Sequence, residues 1–360
     1  MILTCAAIAI ALFFAMNIGA SGTAAAMGAA YGGGAIQNKK LAMLIVGAAA
    51  LLGAVLGGGE VVKTIGGGII SSSILTVEIV IIILASATLT LFIANLMGVP
   101  LSTSEVTVGS IVGIGLAYKS LFVSKLAVII SFWIAVPLVS FSVAYVLGRL
   151  IKIAEVKWPY LSRQGKWQRW LGRLLVIGGA LEAFSAGMNN VANAVGPLVG
   201  AGLMSVSAGV WMGGIFVALG AVLLGGKVLE TNGKKITRLS LLQGSAVSFT
   251  SGGLVIIASL LGIPVPLVQA TTCAIMGVGT ADNGFKLWQK RVIHQIAKVW
   301  IVSPVSSLVV AYAMVHLWLQ PNPYVLIVII SVFITTLGLM NLSQTIRKEK
   351  SAIHDQRGGI

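Results

Sequence analysis

The fold class predicted by this sequence is an all-α, polytopic membrane protein built from two inverted-topology repeats with discontinuous helices, in about 11–12 membrane segments. Three observations predict it. The 360 residues are 57% hydrophobic and 9% charged, with a mean hydropathy of +1.01. Apolar runs at 2–18, 41–57, 74–97, 125–148, 174–186, 207–226, 240–262, 299–318 and 323–342 recur along the chain, and several reach the ~20 residues needed to cross about 30 Å of hydrocarbon. The second half repeats the first at a spacing of about 165 residues.

Four matches in the same order carry the repeat. Gly19–Gly28 (GASGTAAAMG) pairs with Gly187–Gly196 (GMNNVANAVG), and Gly53–Thr64 pairs with Gly220–Thr231. Met97–Ala117 pairs with Leu261–Ala281, and Phe132–Ser140 with Val299–Ser307, placing Trp133 on Trp300 and Pro137 on Pro304. Residues 1–150 form the first membrane repeat and 174–320 the second. Between them, 151–173 is a basic stretch, continuous with Arg149 and including Lys152, Lys157, Arg163, Lys166, Arg169 and Arg173 against Glu155 alone. The positive-inside rule makes that linker cytoplasmic. One crossing per apolar unit gives five per half, and an odd number forces the halves into opposite orientations. An extra transmembrane helix at 321–343 and a cytoplasmic tail at 344–360 follow. Met1 leads straight into apolar sequence, so no cleaved secretory signal is expected.

The charge balance, +15, raises nucleic-acid binding. The basic residues fall in loops and on no single amphipathic face, so topology explains them and no nucleic-acid partner is expected. Cys5 and Cys273 both lie in apolar sequence, which gives neither a disulfide framework nor a metal spacing. The glycine runs Gly57–Gly59 and Gly66–Gly68 lack the Gly-Lys-Ser/Thr of a phosphate loop, and the three His residues form no catalytic layout, so no enzyme and no cofactor is expected.

Both signature stretches read as interrupted membrane segments facing one central site, because buried amides need partners and Gly tolerates a broken helix. Ser104–Tyr118 and Gln269–Ala281, each preceded by a proline, are too short to cross and read as half-length helices whose N-termini point inward. Neutral donors dominate there: Ser102, Thr103, Ser104 and Thr107 in the first half, and Asn189, Asn190, Asn193, Thr271 and Thr272 in the second. Hydroxyls, amides and helix N-termini suit a tetrahedral oxyanion. The bland alternative is Ser and Thr bonding back to their own helix and Asn bridging helices. Two acids stand out at membrane depth, Glu105 beside the first hydroxyl run and Glu182 five residues before Gly187. A carboxyl there is functional by default, and desolvation favours its neutral form. Glu60 with Lys63 and Lys227 with Glu230 read as loop ion pairs, and Asp282 as a loop acid.

GMNNVANAVGP, PLSTSEVTVG and the duplicated layout resemble the inorganic phosphate transporter family, whose members carry a GANDVANA-type and a P-V-S-T-T-H-type signature twice each. The resemblance runs from Phe14 to about Trp318 and is most similar to the bacterial sulfate permease branch. It implies a multi-pass protein of the bacterial cytoplasmic membrane that binds a tetrahedral anion near the midplane and works by alternating access. The departures bear on substrate. The signature Asp positions are Gly22 and Asn190, the signature His positions are Glu105 and Gln269, and the second Ser-Thr-Thr run is Pro266, Leu267 and Val268. Loss of both Asp removes expected hard-cation ligands and acceptors for a protonated anion. Sulfate, which only accepts, is therefore favoured over phosphate, and a proton over sodium as the coupling ion, with Glu105 and then Glu182 as carriers. Phosphate:cation symport and a passive anion channel stay open as alternatives. Membrane lipid surrounds such a chain, and a homodimer is allowed but not demanded.

Overall fold

The structure is a computed structural model, and it describes residues 1–96, 101–161, 165–230, 239–284, 291–325 and 327–331. The described residues include the helices α1 (Ile2–Ile18), α2 (Gly28–Gly32), α3 (Lys39–Gly57), α4 (Gly59–Lys63), α5 (Val77–Leu96), α6 (Thr103–Ala117), α7 (Val123–Lys157), α8 (Lys166–Gly200), α9 (Val206–Leu224), α10 (Leu241–Leu260), α11 (Leu267–Asn283) and α12 (Arg291–Trp318). Among the described residues eight helical stretches are long and apolar enough to cross a membrane, and α6 is a shorter apolar helix. The protein is a multi-pass membrane protein. Met1–Ala311 forms one compact unit that contains both halves as far as Ala311, and Tyr312–Ile360 forms a second. Of the expected extra helix at 321–343, only 321–325 and 327–331 fall among the described residues, and the expected tail at 344–360 lies wholly outside them.

The duplication is visible in how helices start and pack. Asn38 caps α3 by accepting from Leu41 N at 3.1 Å, and its repeat equivalent Ser205 caps α9 by accepting from Ala208 N at 3.2 Å. Thr76 accepts from Ile79 N at 3.4 Å before α5, while Ser240 caps α10 with a full capping box through Gln243. Each cap satisfies a first-turn N–H that has no intrahelical partner. Gly34 and its equivalent Gly202 take left-handed turns, φ +72° and +69°, which a side chain disfavours.

Glycine notches then set the close approaches. A Cβ on Gly187 of α8 would strike the Ala50 carbonyl of α3, and one on Gly53 the Phe184 carbonyl of α8. The repeat equivalents make the same contact with partners exchanged: Gly19 lies on the Val217 carbonyl of α9, and Gly220 on the Met16 carbonyl of α1. Between α3 and α9, Gly47 meets Ala218 and Val222 while Gly214 meets Leu51 and Ala54. Small residues at such positions let membrane helices approach closely.

Two expectations are corrected. The second signature is not interrupted: Gly187–Pro197 lies inside the 35-residue helix α8. Its glycines serve as notches and not as breaks, and Pro197 forfeits only one intrahelical bond. The first signature does depart from α-helix, with a π turn at Gly19–Thr23 and a 3₁₀ turn at Ala24–Met27 before α2. The stretch 151–173 is mostly helix, because α7 continues to Lys157 and α8 starts at Lys166. At ~1.5 Å per residue a 35-residue helix spans about 52 Å, well beyond ~30 Å of hydrocarbon, so the basic ends extend past the apolar layer. Glu60 pairs with Lys63 at 2.6 Å as expected, and Glu230 also reaches Lys39 of the other half at 2.6 Å.

Candidate functional site

Asn189 and Asn190 are adjacent on α8 and Asn193 follows them by four and three residues, so the helix places the three on adjoining faces against α6 and α10. Each is buried, as are Thr103 and Ser104 at the first turn of α6. Thr103 Oγ1 donates to Asn190 Oδ1 at 3.0 Å, and Ser104 Oγ donates to Asn189 Oδ1 at 3.1 Å. Asn193 Nδ2 donates to both hydroxyls, at 3.3 Å to Thr103 and 3.2 Å to Ser104. Asn189 also braces the turn before α11: its Nδ2 reaches Ser259 Oγ at 3.0 Å and the Ile263 carbonyl at 3.2 Å, and its Oδ1 accepts from Val265 N at 3.2 Å. This cluster of amides and hydroxyls contains no formal charge. Hydroxyl protons rotate freely between acceptors, and the α6 N-terminus adds N–H groups without intrahelical partners.

Two carboxyls flank it. Glu105, the next residue along α6 and buried, accepts a hydrogen bond from Gln269 Nε2 of α11. These two residues occupy equivalent positions of the repeat. Ser303 of α12 lies against the same carboxyl, and Glu105 Oε2, Ser303 Oγ, Thr107 Oγ1 and Asn193 Oδ1 are buried with no hydrogen-bond partner among the described residues. Glu182, also buried, lies two turns before Asn189 on the same stripe of α8. It accepts from Thr271 Oγ1 at 2.6 Å, and Ser248 and Ser251 of α10 adjoin it.

The sequence-expected residues thus divide. Asn189, Asn190, Asn193, Thr103 and Ser104 come together. Thr271, expected beside them, instead holds Glu182, and Thr272 bonds back to the Val268 carbonyl at 2.6 Å within its own helix. Ser102 stands at the N-cap of α6, buried, with no side-chain cap bond, and Thr107 is buried one turn further in. Asp282, expected as a loop acid, accepts from Gln243 Nε2 at 2.6 Å. Sequence reasoning missed Ser259, Ser303 and the role of Gln269. For Gln269 the signal was its equivalence to Glu105.

Comparison with known proteins places this arrangement. The model of the phosphate transporter family matches residues 18–311, which include every residue of the cluster and both carboxyls. This chain belongs to the phosphate transporter family. It is 52% identical to "Sulfate permease CysP" of Bacillus subtilis (strain 168) over 355 residues, 99% of either chain. It is 31% identical to "Inorganic phosphate transporter 2-1, chloroplastic" of Arabidopsis thaliana over 163 residues, 41% of this chain and 27% of that one. A solved structure titled "The sodium-dependent phosphate transporter" superposes with a TM-score of 0.79 over 89% of this chain and 100% of that one, at 24% identity, which speaks to the fold. Family membership makes the chain a membrane transporter, and the family does not constitute an enzyme class.

Proposed function

We propose that this protein imports sulfate across the bacterial cytoplasmic membrane as a proton-coupled secondary transporter, with the Asn189–Asn190–Asn193–Thr103–Ser104 cluster as its anion site. The observation that carries the reading is the make-up of that cluster: a buried set of neutral donors without a carboxylate, in a chain 52% identical along its length to a sulfate permease. Sulfate at neutral pH only accepts hydrogen bonds, so a site without fixed acceptor charge suits it better than hydrogen phosphate. The reciprocal glycine contacts support an approximate two-fold axis between the halves. Together with the basic ends of α7 and α8 they support inverted repeats that alternate access to the site.

Energetics argues for coupling. A dianion entering against −100 mV is opposed by about 4.6 kcal/mol, at ~2.3 kcal/mol per charge. Two protons would cancel that cost. Asn190 and Gly22 replace the two Asp of the family signature, so the carboxylates that a sodium site would be expected to use are missing; this leaves Glu105 and Glu182 to carry charge, Glu105 first because it borders the anion cluster. Protonated, it lets the anion approach; ionised, it repels the anion toward release.

The test is sulfate uptake into proteoliposomes under an imposed pH gradient without sodium. We expect saturable, uphill uptake, competed by sulfate and thiosulfate and weakly by phosphate, and a loss of more than tenfold in accumulation for Glu105→Gln with sulfate exchange retained. Strongest competition by phosphate would favour the phosphate symport reading. Flux that neither saturates nor runs uphill would make the protein a channel, and strict sodium dependence would remove the proton.

A further inference from the structure

Glu105 and Gln269 are the same position of the two repeats, and they touch. A residue that bonds its own repeat equivalent lies on the axis relating the repeats. The α3–α9 contact, where Gly47 and Gly214 each meet the other helix, marks a second point of that axis. We propose that Gln269 is the positioning residue for Glu105, holding its carboxyl on the axis where it is equally reachable from either side of the membrane. The inference rests on the proton-coupled alternating-access reading above.

The off-axis contacts show why the position matters. Thr103 with Asn190 and Ser104 with Asn189 map onto Leu267 with Gly22 and Val268 with Ser21, which cannot reproduce those bonds. When inverted repeats exchange conformations, off-axis contacts exchange environments, whereas an on-axis contact maps onto itself. A single proton carrier that must see both sides needs the second kind of place. The amide suits both protonation states. Its Nε2 donates to the ionised carboxyl, and its Oε1 can accept from the protonated one. A leucine there would serve neither state, and a second glutamate would repel an ionised Glu105. The polar side chains set against Glu105 among the described residues are Gln269 from α11 and Ser303 from α12, and Glu105 forms no ion pair there.

An exchange of the two residues decides it. Glu105→Gln/Gln269→Glu rebuilds the pair with the carboxyl on the other helix. We expect the double variant to recover at least half of the native proton-driven sulfate accumulation that Glu105→Gln alone loses by more than tenfold. Gln269→Leu, which keeps Glu105, should displace the pH of half-maximal uptake by about one unit or more while sulfate binding to detergent-purified protein stays within threefold. If the exchanged protein binds sulfate yet accumulates no better than Glu105→Gln, the axial placement is wrong. Should the exchanged protein not fold, a native pH profile in Gln269→Leu overturns the proposal by itself. Failure of the native protein to accumulate sulfate under a pH gradient would instead sink the coupling reading on which it rests.

Discussion

The two copies of the signature align residue for residue and fold differently. In the second copy, α8 runs unbroken and its three amides bond outward to Thr103, Ser104, Ser259 and the turn before α11. In the first, the equivalents of Asn189, Asn190 and Asn193 are Ser21, Gly22 and Ala25, and the backbone widens into a π turn. Ser21 spends its hydroxyl on the Asn17 carbonyl of its own helix at 2.8 Å. The opposing half-helix has changed in step, since Thr103 and Ser104 correspond to Leu267 and Val268. Duplication supplies two potential sites, and this chain has kept polarity in one. The scaffold stays paired, as the reciprocal glycine contacts show, while the chemistry is single.

The comparison breaks hardest at the scaffold. A Cβ on Gly187 meets the Ala50 carbonyl, a backbone atom that cannot rotate away. Overpacking a well-filled interior costs about 1–3 kcal/mol and occasionally more, so Gly187→Ala should lower the unfolding temperature in detergent sharply or abolish folded protein. A variant as stable as the native protein would mean that the α3–α8 approach is not set by this notch.

Next in size is Asn190→Asp. The acceptor for Thr103 survives, but a fixed negative charge enters the donor cluster. At ~4 Å and an effective dielectric near 20, unlike solvation aside, each charge pair is worth about 4 kcal/mol, and partial protonation of the new carboxyl will absorb part of that. A fall in sulfate affinity on the order of 100-fold, about 2.7 kcal/mol, is expected by direct binding, with phosphate less affected. Unchanged sulfate affinity would place the anion away from Asn190.

Much of this was legible in the residues, and the rest was lost for physical reasons. The all-helical, multi-pass character followed from the apolar runs because the bilayer permits few alternatives. The amides and hydroxyls announced themselves because such groups are expensive when buried without partners. Which of them meet was not legible. Thr271 and Thr272 are adjacent in sequence, yet one holds Glu182 and the other its own helix, a difference decided by a rotation of about 100° around α11. The continuity of α8 was misread because glycine and proline signal both a break and a notch, and only the neighbouring helix distinguishes them. The Glu105–Gln269 contact joins a residue to its own repeat equivalent, but a repeat alone does not say which equivalent pairs meet.

The smallest expected effect sharpens the comparison from the other side. Gly22 is the first-copy equivalent of Asn190, and a Cβ built there meets nothing within 4 Å. Alanine is favoured over glycine in a helix by up to ~1 kcal/mol, although the π geometry at Gly19–Thr23 will realise only part of that. Gly22→Ala should therefore leave the unfolding temperature unchanged or slightly raised, and sulfate affinity within about twofold. The side chain adds neither charge nor a hydrogen-bonding group, so any larger effect on affinity has to come from occupying space the anion uses. If Gly22→Ala lowers sulfate affinity tenfold with stability intact, the first copy also lines the site, and the anion is held between both signatures rather than by the second alone.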